Sequence, residues 1–167
     1  MAELLEQTKV GKGYHLHIIP TKKFKTITMM FRFLAPLQRD TATIRALLPF
    51  VLQKGTKKLP TERSFRTKLD ELYGANFTIN CSKKGENHLI SMQVSFVNEK
   101  FLPTNENVTE EIIDLMHQIL FEPNSEQNGF RKDVVTREKE ALKQKIESIK
   151  DQKMSYANMR LIDEMCK

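Results

Sequence analysis

The sequence predicts an α+β fold, an antiparallel β-sheet packed on one face by helices. Two observations carry this. Alternating apolar segments come in two close pairs, Tyr14–Ile19 with Ile27–Leu34 and Ala75–Cys81 with Leu89–Val97. Segments with apolar residues at i, i+3, i+4 and i+7 follow each pair and are long enough for helices. The resulting order, β-β-α-α-β-β-α-α-α, segregates strands from helices as α+β layers do.

Tyr14–Ile19 places Leu16 and Ile18 on one face and His15, His17 and Ile19 on the other, and stops at Pro20. Ile27–Leu34 is mostly apolar, with Arg32 its sole charge, which predicts a strand in the middle of a sheet. The two are near enough to pair as a hairpin. Asp40 is the expected N-cap of a first helix ending at Gly55. Its apolar face is Ile44, Leu47, Leu48, Val51 and Leu52, and Pro49 interrupts it. An interior proline costs about 3 kcal/mol and leaves the carbonyl of Arg45 without its helical partner. Thr61–Tyr73 is a second helix stopped by Gly74. Ala75–Cys81 and Leu89–Val97 form an antiparallel hairpin around Lys83–Asn87. Asn107–Leu120 is helical. Ser125 is expected to cap a long helix from Glu126 to about Gln152, with Phe130, Val134, Ala141, Leu142, Ile146 and Ile149 as its stripe. Met154–Cys166 continues the helical pattern.

We expect a single domain over residues 1–167, with its core at about 10–152 and residues 153–167 starting a helix that continues in a longer protein. Leu161, Ile162 and Met165 are spaced for burial with no closing element after them, so an N-terminal fragment with possible self-association through that face is expected. The chain has 40% apolar residues, including ten Phe, and carries 27 basic against 21 acidic side chains, a net +6. Its lysine pairs Lys22-Lys23, Lys57-Lys58 and Lys83-Lys84 are scattered, and no aromatic interleaves them. That argues for a solvated surface and against nucleic-acid binding. There is no apolar run of membrane-spanning length and the N-terminus lacks a signal-peptide layout, so no membrane association is expected. Two distant cysteines, Cys81 and Cys166, fit free thiols in a cytoplasmic protein.

Two segments together resemble the pitrilysin/insulinase family of zinc metallopeptidases, which includes the mitochondrial processing peptidases. The helix Ile44–Gln53 and the exit Lys54-Gly55-Thr56 match the frame of the family's inverted zinc motif, His-x-x-Glu-His, and the Lys-Gly-Thr-like turn after it. Phe65–Leu72 with Tyr73-Gly74-Ala75 resembles the helix and small-residue turn leading to the family's edge strand. Phe130–Glu138 resembles the segment delivering the distal glutamate ligand. The resemblance covers about Gly13 to Ile149, most of one repeat, incomplete at the C-terminus. It places Ala46 at the first zinc histidine, Pro49 at the general-base glutamate and Phe50 at the second histidine; Glu138 alone is retained. A catalytic zinc takes three protein ligands bearing lone pairs, so the resemblance implies a degenerate site, with no metal and no cofactor expected.

Glu138 also stands out within its own helix, since it shares the stripe of Val134 and Leu142. A carboxylate there is costly unless paired. It is read either as paired with a Lys or Arg at the stripe's edge or as a relic of a metal site now holding a neighbouring side chain. His15 and His17 share one strand side, and His88 opens another strand; all three read as exposed histidines on polar faces. His117 reads as an ordinary surface or partly buried side chain.

The resemblance implies a catalytically inactive homologue that acts as a substrate-binding, structural subunit. Its expected partners are a peptide or unfolded-protein substrate and a homologous zinc-bearing subunit, in a bacterial-type heterodimer. The expected peptide-binding edge is Ala75, Asn76, Phe77, Thr78, Ile79 and Asn80. Two alternatives are an active metalloendopeptidase with a displaced ligand set such as His15, His17 and Glu138, and a scaffold protein in a protein-modification pathway.

Overall fold

The computed structural model describes residues 6–103, 106–126 and 129–165. The architecture is α+β, as the patterns predict. Strands β1 (Gln7–Gly11) and β2 (Tyr14–Ile18) precede β3 (Thr26–Pro36) and helices α1 (Arg39–Leu52) and α2 (Glu62–Glu71). The hairpin β4 (Asn76–Lys84) and β5 (Asn87–Val97) follows, then α3 (Val108–Phe121), the short strands β6 (Ser125–Glu126) and β7 (Gly129–Phe130), and helices α4 (Lys132–Ser148) and α5 (Lys153–Met165).

The central sheet has the order β3-β5-β4 and is antiparallel throughout. One face presents Ile27, Met29 and Phe31 from β3, Ile90, Met92, Val94 and Phe96 from β5, and Phe77 and Ile79 from β4 to the core. Leu52 of α1, Phe65 and Leu69 of α2 and Ile112, Leu115, Met116 and Ile119 of α3 cover it. Met92, Val94, Ile112 and Ile119 are wholly buried. The opposite face is polar where β4 meets β5, with Asn76, Thr78 and Asn80 exposed beside Ser91, Gln93 and Ser95. That alternation is what one covered and one wet face require.

Four expectations are corrected. Tyr14–Ile18 pairs with Gln7–Gly11 and not with β3. Gly11 faces Tyr14 across a two-residue turn, Lys12-Gly13, and Gly13 supplies the positive φ such a turn needs. That short connection outcompetes the longer break at Pro20–Lys25, and β1 (Gln-Thr-Lys-Val-Gly) has too few apolar residues to be seen from sequence. Second, β3 is an edge strand, and the amphipathic β5 is the central one. Met30 and Leu34, on the face away from the core, are 44% and 65% exposed, so the strand has one covered face and its apolar content does not require a central place.

Third, α1 begins at Arg39 with Gln38 as N-cap and no side-chain cap. Asp40 lies in the first turn, where its charge favours the helix dipole. Fourth, Ser125 opens no helix. Pro123 bridges to Thr56, and the β6–β7 pair then reverses the chain before α4 starts at Lys132. The expected stripe of α4 is only half covered: Phe130, Val134, Leu142 and Ile149 are half-buried, Ala141 and Ile146 are exposed, and Glu138 is the buried residue of the helix. Gln127, Asn128 and Cys166, which fall in the expected helices, lie outside the described residues. Among the described residues no helix is long and apolar enough to cross a membrane.

Candidate functional site

Helix α1 crosses the covered face of the sheet and packs against β4, β5 and α4. Of the three reactive positions of the family frame, Pro49 is buried, and Ala46 and Phe50 are half-buried. Phe50 lies toward α4, where the ammonium of Lys145 stands 5.5 Å from its ring centroid. Alanine, proline and phenylalanine side chains offer no lone pair, so this set does not fit a zinc ion.

Glu138 comes from α4 and is 7% exposed. Its Oε1 accepts from Arg137 Nε at 3.1 Å and lies 3.5 Å from Lys54 Nζ. Lys54 also donates to Glu62 Oε2 at 3.0 Å. Glu138 is thus a paired carboxylate, as a charge in a stripe must be. Its cation comes from the residue that leaves α1, so the arrangement joins α1, α2 and α4 through three side chains. The hydrogen bond from Lys54 holds the Glu62 carboxyl below the usual glutamate range. Sequence reasoning missed Lys54, Arg137 and Glu62 as a group. The available signal was a buried acid followed through space by the lysine of the Lys-Gly-Thr turn, which only the fold brings near.

The turn after α1 is fully engaged. Gly55 has φ +136°, and a Cβ there would sit 2.4 Å from the carbonyl oxygen of Leu59. Thr56 is completely buried; its hydroxyl donates to Gln118 Oε1 at 3.3 Å and accepts from the Leu59 N–H at 3.1 Å. Lys57 N–H donates to the Glu122 carbonyl, and Asn124 Nδ2 donates to that of Pro60. Lys-Gly-Thr therefore ties α1 to the end of α3.

The displaced ligand set is not assembled. Among the described residues no three His, Cys, Asp or Glu side chains converge on a metal position. His15 and His17 do share one strand side, with ring centroids 6.3 Å apart, and His17 Nδ1 lies 2.7 Å from Glu6 Oε1. His88 is not an exposed histidine. It lies on the core face, 4% exposed, and among the described residues its Nδ1 has no hydrogen-bond partner. His117 is exposed, 4.9 Å from the Phe121 ring.

The expected peptide-binding residues Asn76, Phe77, Thr78, Ile79 and Asn80 lie on β4, an edge of the described sheet, and Ala75 directly precedes it. Lys84 and Asn87 flank the two-residue turn Gly85-Glu86, so they exchange both backbone hydrogen bonds. Alternation then makes Lys83, Cys81, Ile79 and Phe77 non-hydrogen-bonded positions, whose N–H and C=O groups point away from β5. One of these outward groups is already held. Gln53, the C-cap of α1, donates from Nε2 to the Ile79 carbonyl at 3.2 Å.

The chain is similar to proteins of known sequence and structure. It is 44% identical over 155 residues to the probable inactive metalloprotease YmfF of Bacillus subtilis (strain 168), an alignment that takes in 93% of this chain and 36% of that protein. Its fold is similar to a conserved protein from Enterococcus faecalis V583 whose crystal structure is known. That similarity has a TM-score of 0.87 and 36% identity, over 93% of this chain and 37% of the other. No family model matches the chain. The chain therefore spans about a third of the length of these two relatives.

Proposed function

We propose that this chain is a catalytically silent peptidase-like module of the pitrilysin/insulinase type, which captures extended peptide along β4 beside a zinc-bearing homologous subunit. The observation that carries the silent half of this reading is the state of Glu138. The one acid retained from the zinc frame is neutralised by Lys54 and Arg137, opposite an α1 that presents Ala46, Pro49 and Phe50. With no ion and no activated water, what is left is binding. The similarity to a relative named a probable inactive metalloprotease supports this.

Peptide capture rests on the outward backbone groups of Phe77, Ile79, Cys81 and Lys83. An added strand gains affinity from such groups and specificity from alternate side chains. The exposed Asn76, Thr78 and Asn80 keep the other face wet. A metal-bearing partner would supply any hydrolysis.

Two measurements test the reading. The purified chain should hold no stoichiometric zinc and cleave no peptide; zinc at one equivalent with chelator-sensitive cleavage would overturn it. A fluorescein-labelled peptide of alternating Thr and Val should bind the chain, and Cys81→Pro should weaken that binding at least tenfold. The Cys81 N–H faces the open edge, so proline there blocks an incoming strand without removing a bond to β5. Binding indifferent to this substitution would place the peptide elsewhere. Co-purification with a homologue carrying an intact His-x-x-Glu-His would support the pairing.

A further inference from the structure

The β4 edge is not uniformly open. Phe77, Ile79, Cys81 and Lys83 alternate along it as the residues with outward backbone groups, and the Ile79 carbonyl in the middle of that row accepts the side-chain amide of Gln53. A primary amide N–H on a strand-edge carbonyl occupies the place where the backbone N–H of an added strand would lie. Gln53 is well placed to hold that position. Its backbone is the C-cap of α1, with its N–H bonded to the Pro49 carbonyl, and its side chain is half-buried against the sheet.

We infer that Gln53 gates the β4 edge: its amide stands in for one residue of a bound strand and must be exchanged for a peptide N–H when an extended peptide adds across Ile79. The inference rests on the reading of β4 as a peptide-binding edge and adds to it a residue that sets affinity and register. A peptide lying across Ile79 displaces Gln53. A shorter one pairs with Cys81 and Lys83 alone and leaves Gln53 in place. The exchange replaces one hydrogen bond by another of the same kind, so the gate is weak. A net hydrogen bond of about 0.5–1.5 kcal/mol corresponds to a roughly two- to tenfold effect on binding.

The experiment uses the whole chain and the labelled Thr/Val peptide, with Kd from fluorescence anisotropy for wild type, Gln53→Met and Gln53→Ala. Methionine keeps the length and packing of glutamine but donates nothing. Both variants should bind two- to tenfold more tightly than wild type, and a peptide N-methylated at its central residue should lose that gain. Tight binding by the variants with none detectable for wild type would support the gate equally. Wild-type binding that Cys81→Pro weakens but Gln53→Met leaves unchanged, or weakens, overturns the gate and keeps the edge-binding reading. No binding by any of the three proteins overturns both. Thermal melts that match wild type establish that the variants are folded.

Discussion

Helix α1 and the turn that leaves it are adjacent in sequence and opposite in character. Along the helix, Ala46, Pro49 and Phe50 are buried or half-buried side chains without a polar group. Along the turn, each residue performs a specific task. Lys54 pairs with Glu62 and Glu138, Gly55 accommodates the Leu59 carbonyl, and Thr56 satisfies a buried network with Gln118. A packed helix face tolerates exchange of its side chains without disturbing the fold, because packing asks only for volume and an apolar surface. A turn with a positive φ and buried hydrogen bonds has no such freedom.

The sharpest way to break the comparison is Gly55→Ala. The added methyl would meet a backbone oxygen at 2.4 Å, at a φ that side chains rarely adopt. We expect a loss of about 2–4 kcal/mol in urea unfolding, within the range of strained-backbone effects. A loss under 1 kcal/mol would mean that the turn is as tolerant as the helix. Lys54→Met comes next. It leaves Glu138 buried with Arg137 as its remaining partner, at an expected cost of about 1–3 kcal/mol. Adding Glu138→Leu should return much of that loss, because the stranded charge goes with it. Purely additive effects in the double-mutant cycle would deny the coupling.

Pro49→Ala tests the helix side with the opposite sign. Alanine restores a donor for the Arg45 carbonyl, and the gain is offset by a more flexible unfolded chain and some lost burial. The variant should be about 1–2 kcal/mol more stable than wild type. A destabilised Pro49→Ala would show that the proline packs a space that nothing smaller fills.

How much of this was legible in the sequence follows the same division. Periodicity located α1, α2, α3 and the β4–β5 hairpin, because each is amphipathic and bounded by a cap or a glycine. It misplaced β3, whose apolar run Ile27–Leu34 reads as a mid-sheet strand while it lies at an edge of the described sheet. It missed β1, which has little apolar content and exists through its turn to Tyr14. It also ran a helix through the β6–β7 reversal, where the contact of Pro123 with Thr56 decides the path. That Glu138 needs a cationic partner was readable from its place in the apolar stripe of its helix. The identity of the partner, Lys54, and the hold of Gln53 on Ile79 depend on contacts between elements far apart in sequence, which no local pattern encodes.

The smallest expected effect refines the electrostatics of the turn. Lys54 depresses the Glu62 carboxyl by hydrogen bonding, so Glu62 is more acidic folded than unfolded. A group of that kind contributes stability at pH values above its unfolded titration, and the contribution is lost as pH falls through its lower, folded value. Glu62→Gln should therefore be less stable than wild type near neutral pH, and the two should converge in acid. Because Glu62 is 45% exposed, solvent screens the pair and the difference at neutral pH should be only about 0.3–0.5 kcal/mol. Urea midpoints compared at neutral pH and well below the glutamate range measure it. A gap that persists unchanged in acid would assign the effect to packing of the side chain, and the lysine at the exit of α1 would then act on Glu138 alone.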